Sequence, residues 1–120
     1  MGDLDFGLNP VILQQTAEQI VDVQQSGTQV ALVIGGGNIF RGAGLVKSGI
    51  NKVSADQMGM LATVMNALAM QDALHKQGVS CRVMTAMLID QVGEGFSAER
   101  AQRYLDQGEV VVFAAGTGSP

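Results

Sequence analysis

Apolar positions along this chain change their spacing several times, and each change predicts an element. Leu13, Ala17 and Ile20 recur at helical spacing between Asn9-Pro10 and Gly27. This predicts a helix from Pro10 to about Gln25, capped by Asn9, with proline at the first helical position. Leu8 and Leu13 are spaced for a hydrophobic staple, Gly27 is a natural stop, and Gly2–Gly7 reads as a loop. The run Gln29-Val30-Ala31-Leu32-Val33-Ile34 then abandons helical spacing without adopting polar alternation, which predicts a strand buried on both faces. It breaks into Gly35-Gly36-Gly37-Asn38, after which residues 38–46 read as a short helix.

The longest periodic segment runs from about Ala55 to Gln77, opened by a capping box at Ser54-Ala55-Asp56-Gln57 and closed by Gly78. Met58, Leu61, Met65, Leu68 and Ala69 form one stripe, and Met60, Val64 and Leu74 widen it. Apolar cover on so much of the circumference predicts a helix buried on two sides, in a core or at a subunit interface. Val79–Thr85 reads as a strand, Ser97 caps a helix reaching Gln107 before Gly108, and Glu109–Ala114 is a second apolar strand. That strand breaks into Ala115-Gly116-Thr117-Gly118-Ser119-Pro120. Strands of this kind alternating with helices predict an α/β fold, a parallel sheet covered by helices on both faces. Ligands of such sheets sit beyond the carboxyl ends of the strands, where both glycine turns fall.

Composition narrows the picture. With 47% apolar and 15% charged residues over 120 positions, the chain reads as one globular domain. A net charge of −4 argues against nucleic acid or an anionic membrane as the main partner. The single cysteine, Cys81, excludes a disulfide framework or a thiolate metal cluster and fits a reducing compartment. No signal peptide or bilayer-spanning run is visible, so a soluble cytoplasmic protein is expected.

The glycine run carries the chemistry. Three adjacent residues without Cβ leave bare amide N–H groups that an anion can approach, and Arg41 follows with a fork suited to phosphate oxygens. The run matches neither a P-loop, lacking Gly-Lys-Ser/Thr, nor a Gly-x-Gly-x-x-Gly fingerprint, because Phe40 stands at its last position. A tight turn alone does not need three glycines, and phosphate binding is the expectation. Asp56, at the second position of the expected helix, suits either the helix dipole or a ribose hydroxyl. Thr117, Gly118 and Ser119 follow a buried strand and suit contacts to a nucleotide. His75 lacks companion ligands, the seven methionines read as core filler, and Cys81 reads as buried and inert. No nucleophile–base pair or metal-ligand set is visible; phosphoryl transfer, which needs positioning and charge more than covalent side-chain chemistry, is compatible with that.

Residues 33–42 (Val-Ile-Gly-Gly-Gly-Asn-Ile-Phe-Arg-Gly), 56–68 (Asp-Gln-Met-Gly-Met-Leu-Ala-Thr-Val-Met-Asn-Ala-Leu) and 115–120 (Ala-Gly-Thr-Gly-Ser-Pro) resemble the bacterial uridylate kinases (UMP kinases) of the amino-acid-kinase fold family. The resemblance covers essentially the whole chain, and its run from Asp56 is what other amino-acid kinases lack. It implies a three-layer αβα sandwich with a mainly parallel sheet, and transfer of the ATP γ-phosphate to UMP with Mg²⁺. By the same resemblance Gly36 contacts UMP, Gly37 and Arg41 sit at the ATP-side phosphates with Arg41 catalytic, and Asp56 holds the UMP ribose. Thr117, Gly118, Ser119 and Pro120 begin the loop around the uridine. Gly2, Asp3, Leu4, Asp5, Phe6 and Gly7 match a segment linked to activation by GTP, with Arg82 a contributor. The resemblance further implies UTP as feedback inhibitor, a homohexamer, and the long Met-rich helix as a dimer interface.

The chain departs from that pattern at both ends. The family's first strand, with its Lys-x-Ser-Gly-Glu motif, and the C-terminal half with the adenine site are absent, and Ser119 stands where many members have asparagine. Residues 1–120 are therefore expected to be a partial amino-acid-kinase domain, the acceptor-side half, inactive and aggregation-prone alone. The alternatives are an amino-acid kinase with a carboxylate or carbamate acceptor, and a non-catalytic nucleotide-binding regulator.

Overall fold

Each helix begins where a short polar side chain caps it. The structure, a computed structural model, describes residues 9–34, 49, 51–86 and 93–114. Asn9 caps α1 (Pro10–Gln25), its Oδ1 accepting hydrogen bonds from Val11 N at 2.9 Å and Ile12 N at 3.4 Å. Ala17, Ile20 and Val21 are buried, with Leu13 packed beside them, so the expected inner face is the observed one. Leu8, the other half of the expected staple, and the short helix expected over residues 38–46 lie outside the described residues.

The long helix, α2, runs over Lys52–Lys76, one turn earlier than the sequence suggested. Its cap is Asn51, whose Oδ1 accepts from Val53 N at 2.8 Å and Ser54 N at 3.4 Å. Two of the free N–H groups at the helix start are thereby satisfied before Ser54 is reached, and asparagine is at least as good a cap as serine. Ser54 thus sits inside the first turn, and Asp56 is the fifth helical residue rather than the second. Asn51→Ala is expected to cost about 1 kcal/mol in chemical denaturation, whereas Ser54→Ala should stay within about 0.5 kcal/mol. The reverse order would restore the later start. At the other end Gly78 adopts φ +82, and Val79 N returns to Leu74 O at 3.0 Å.

Among the described residues four strands form one sheet: β1 (Ala31–Val33), β2 (Cys81–Thr85), β3 (Glu94–Gly95) and β4 (Val110–Ala114). Their order is β1-β4-β2-β3, and every neighbouring pair is parallel. Helix α3 (Ala98–Asp106), capped by Ser97 through Arg100 N at 3.2 Å, connects β3 back to β4. Helices α1 and α2 pack on one face, against Cys81, Val83, Val110, Val112 and Ala114, with Val30, Leu32 and Ile34 beside them. Helix α3 covers the other face over Met84 and Val111, with Tyr104, Leu105 and Phe113 packed around them. The α2 and α3 crossovers run in opposite directions along the sheet, so right-handed connections put them on opposite faces. The expected three-layer arrangement follows.

Three details differ from expectation. Strand β1 is not buried on both faces: Leu32 packs inward, but Val33 is 80% exposed, because among the described strands β1 lies at the end of the sheet, where α3 does not cover it. Helix α2, expected to be buried on two sides, is open along part of its methionine stripe, with Leu61 45% and Met65 50% exposed. The buried side is Ala55, Ala62, Thr63, Val64, Asn66, Ala67, Met70 and Leu74, where small residues let the helix lie close to α1 and the sheet. Finally, β3 was not foreseen. A Cβ on Gly93 would meet Val83 O and Thr85 Cγ2 at 3.2 Å, so glycine lets the chain enter β3 tightly against β2.

Candidate functional site

Of the site residues expected from the sequence, the described residues include Asp56 and Arg82. Strands β1 and β4 are direct neighbours, and Ile34 N donates to Phe113 O at 3.0 Å at the last described step of β1. Both therefore hand the chain over at one edge: β1 to the segment containing Gly36, Gly37 and Arg41, β4 to that containing Thr117, Gly118, Ser119 and Pro120. Those residues, like Gly2–Gly7, lie outside the described residues. The adjacency of β1 and β4 puts the last described residues of both strands at a common edge.

Helix α2 carries Asp56 to the same edge. Gln71 Nε2 donates to Cys81 O at 2.8 Å, which ties the late part of α2 to the start of β2 and makes the helix run against the strands. The fifteen residues from Gln71 back to Asp56 rise about 22 Å, whereas β2 from Cys81 to Thr85 rises only about 13 Å. Asp56 therefore stands roughly 9 Å past the carboxyl edge. It shares a helix row with Thr63, Ala67, Met70 and Leu74, all buried. A carboxylate on the sheet-facing row of a helix, beyond the end of the sheet, projects over the strand ends. Its Oδ2 meets Lys52 Nζ at 2.9 Å, with the side chains 56% and 77% exposed respectively.

Arg82 lies elsewhere, on the α3 face near the start of β2. Its Nε donates to Glu109 at 2.9 Å, a second carboxylate, Glu94, stands 3.8 Å away, and its guanidinium lies 4.5 Å from the centre of the Tyr104 ring. Glu94 also accepts from Tyr104 OH at 2.7 Å and faces Arg100 Nε at 3.6 Å. The hydrogen bond to Glu109 is the main reason that Arg82 holds its proton even more firmly than usual, and the bond to Glu94 does the same for Tyr104. Two guanidiniums facing two carboxylates make a locally balanced cluster that binds β2, β3, α3 and the start of β4 together. Sequence reasoning found Arg82 but missed this cluster, because Arg82 and Glu109 are 27 positions apart. The Lys52–Asp56 pair was also missed, although its i,i+4 spacing was readable.

Cys81 is buried in β2, and loss of solvent, reinforced by nearby Glu109, pushes its thiol up to about 12. It stays protonated at neutral pH and is no nucleophile. Among the described residues no helix is long and apolar enough to cross a membrane.

Comparison with known proteins agrees with this architecture. The amino acid kinase family profile matches residues 4–120. A uridylate kinase of Xanthomonas axonopodis pv. citri is 58% identical over all 120 residues, which cover 50% of that protein. One from Vibrio cholerae is 52% identical over 119 residues, 99% of this chain and 49% of the relative. The crystal structure of UMP kinase from Bacillus anthracis superposes with a TM-score of 0.85 at 37% identity, covering 95% of this chain and 47% of that one. UMP kinase from Ureaplasma parvum gives 0.85 at 32% identity, over 99% and 53%. The chain thus spans about half the length of the curated relatives it matches.

Proposed function

This chain belongs to the amino acid kinase family, and from that membership we propose that it forms the acceptor side of a UMP kinase. The reaction is ATP + UMP to ADP + UDP: a UMP phosphate oxygen bonds to the γ-phosphorus as the bond to the β,γ-bridging oxygen breaks. The observation that carries this reading is Asp56, a carboxylate on the sheet-facing row of α2 beyond the carboxyl edge. A carboxylate there suits the vicinal hydroxyls of a ribose. Relatives at 52–58% identity bearing the uridylate kinase name support uridine as the base.

In this reading Gly36 meets UMP, and Gly37 with Arg41 meets the ATP phosphates, Arg41 holding charge as it shifts during transfer. Thr117, Gly118, Ser119 and Pro120 border the uridine. Among the described residues no group of three or more His, Cys, Asp or Glu is arranged for a metal. No residue of this chain is assigned to Mg²⁺, which when bound with ATP would supply charge neutralisation at the phosphates. Activation by GTP through Gly2–Gly7 and Arg82, inhibition by UTP, a cytoplasmic setting and a place in pyrimidine nucleotide synthesis complete the proposal. Arg82 would bring to GTP a guanidinium already engaged by Glu109. A homo-oligomer, a hexamer at full length, would use the open stripe of α2 around Leu61 and Met65.

The test uses protein expressed from the complete reading frame that carries these residues. With ATP as donor, UMP should be preferred over CMP and AMP by at least about tenfold in kcat/KM. Equal use of the three would remove the uridylate assignment.

A further inference from the structure

Lys52 opens α2 against the ordinary electrostatics of a helix. It is the first residue after the Asn51 cap, at the positive end of the helix dipole, and the first turn contains no acidic residue to balance it. Lysine preceding aspartate by four residues is also the less favourable order for such a pair. A residue set against its local rule is commonly there for a site. Lys52 lies on the same row of α2 as Asp56 and Met70, the row that faces the sheet, and both charged residues stand on the turns past the carboxyl edge. Its ammonium meets Oδ2 of Asp56 at 2.9 Å.

We infer that Lys52 is a positioning residue of the acceptor site: by holding Oδ2 of Asp56 it fixes the carboxylate rotamer, so that Oδ1 is presented to the hydroxyls of a ribose. This rests on the assignment of Asp56 given above. A carboxylate on two freely rotating bonds must be ordered each time a diol binds, and a standing ion pair does part of that ordering beforehand.

The experiment is a double-mutant cycle in protein from the complete reading frame. Asp56→Asn is expected to raise KM for UMP by about tenfold or more. Lys52→Gln should raise it about two- to fivefold while kcat and KM for ATP stay unchanged, and Lys52→Arg should restore it. In the Asp56→Asn background Lys52→Gln should add nothing. If Asp56→Asn raises KM and Lys52→Gln does not, the inference about Lys52 falls and the Asp56 assignment stands. If neither raises it, the assignment itself falls. A Lys52 effect equally large in both backgrounds would show that Lys52 acts on the acceptor directly, which also overturns the inference.

Discussion

Replacing Arg41 with alanine in the full-length protein is expected to lower kcat for UMP phosphorylation by about 10²–10³-fold, roughly 3–4 kcal/mol of transition-state stabilisation. Phosphoryl transfer leaves the protein little covalent work, so a fixed cation aimed at the moving charge is among its largest levers. Arg41 is seven positions beyond Ile34, where β1 leaves the sheet beside β4. That is reach enough, at about 3.3 Å per extended residue, for any point on the carboxyl edge. A guanidinium that acts mainly in the transition state should change kcat far more than either KM. Arg41→Lys should recover only part of the rate, since it keeps the charge but loses the fork that engages two phosphate oxygens. Steady-state kinetics of the three proteins decide the matter. Unchanged kcat in Arg41→Ala would leave Arg41 an ordinary surface arginine.

What was legible beforehand were the signals that act locally. Asn9 and Ser97 cap their helices as their side chains predict, and Gly27, Gly78 and Gly108 stand where the stops were expected. The non-alternating strands around Cys81–Thr85 and Val110–Ala114 are covered on both faces, as a parallel sheet requires, with Arg82 alone exposed. Signals that depend on neighbours were not legible. Nearly all the circumference of α2 is apolar or small, so periodicity alone did not choose between the methionine stripe and the alanine side. Packing against α1 and the sheet chose the side with less bulk. The exposure of Val33 depends on where β1 stands in the sheet, not on its own residues. At the candidate site, the helix position of Asp56 and its lysine partner followed from the cap at Asn51. The cluster of Arg82, Glu94, Tyr104, Arg100 and Glu109 is assembled from four separate segments, and only the fold reveals it.

The choice between the two sides of α2 is itself measurable. Leu74 is fully buried in the last turn of α2, among the side chains of α1, β2 and β4, and its carbonyl receives both Gln77 N and Val79 N. Leu74→Ala removes a packed isobutyl group and leaves a cavity that a helix tied at both ends closes only in part. The expected loss is about 3 kcal/mol, read as a fall in urea midpoint with little change in slope. Leu61 presents the same side chain on the open stripe. Where no second surface covers that stripe, Leu61→Ala should cost no more than about 1 kcal/mol, the loss of a partly exposed apolar group. Where a second copy covers it, the cost should grow with protein concentration, because association then contributes to stability, while that of Leu74→Ala should not. A loss below about 1 kcal/mol for Leu74→Ala, with a larger and concentration-independent loss for Leu61→Ala, would place the methionine stripe in the core after all.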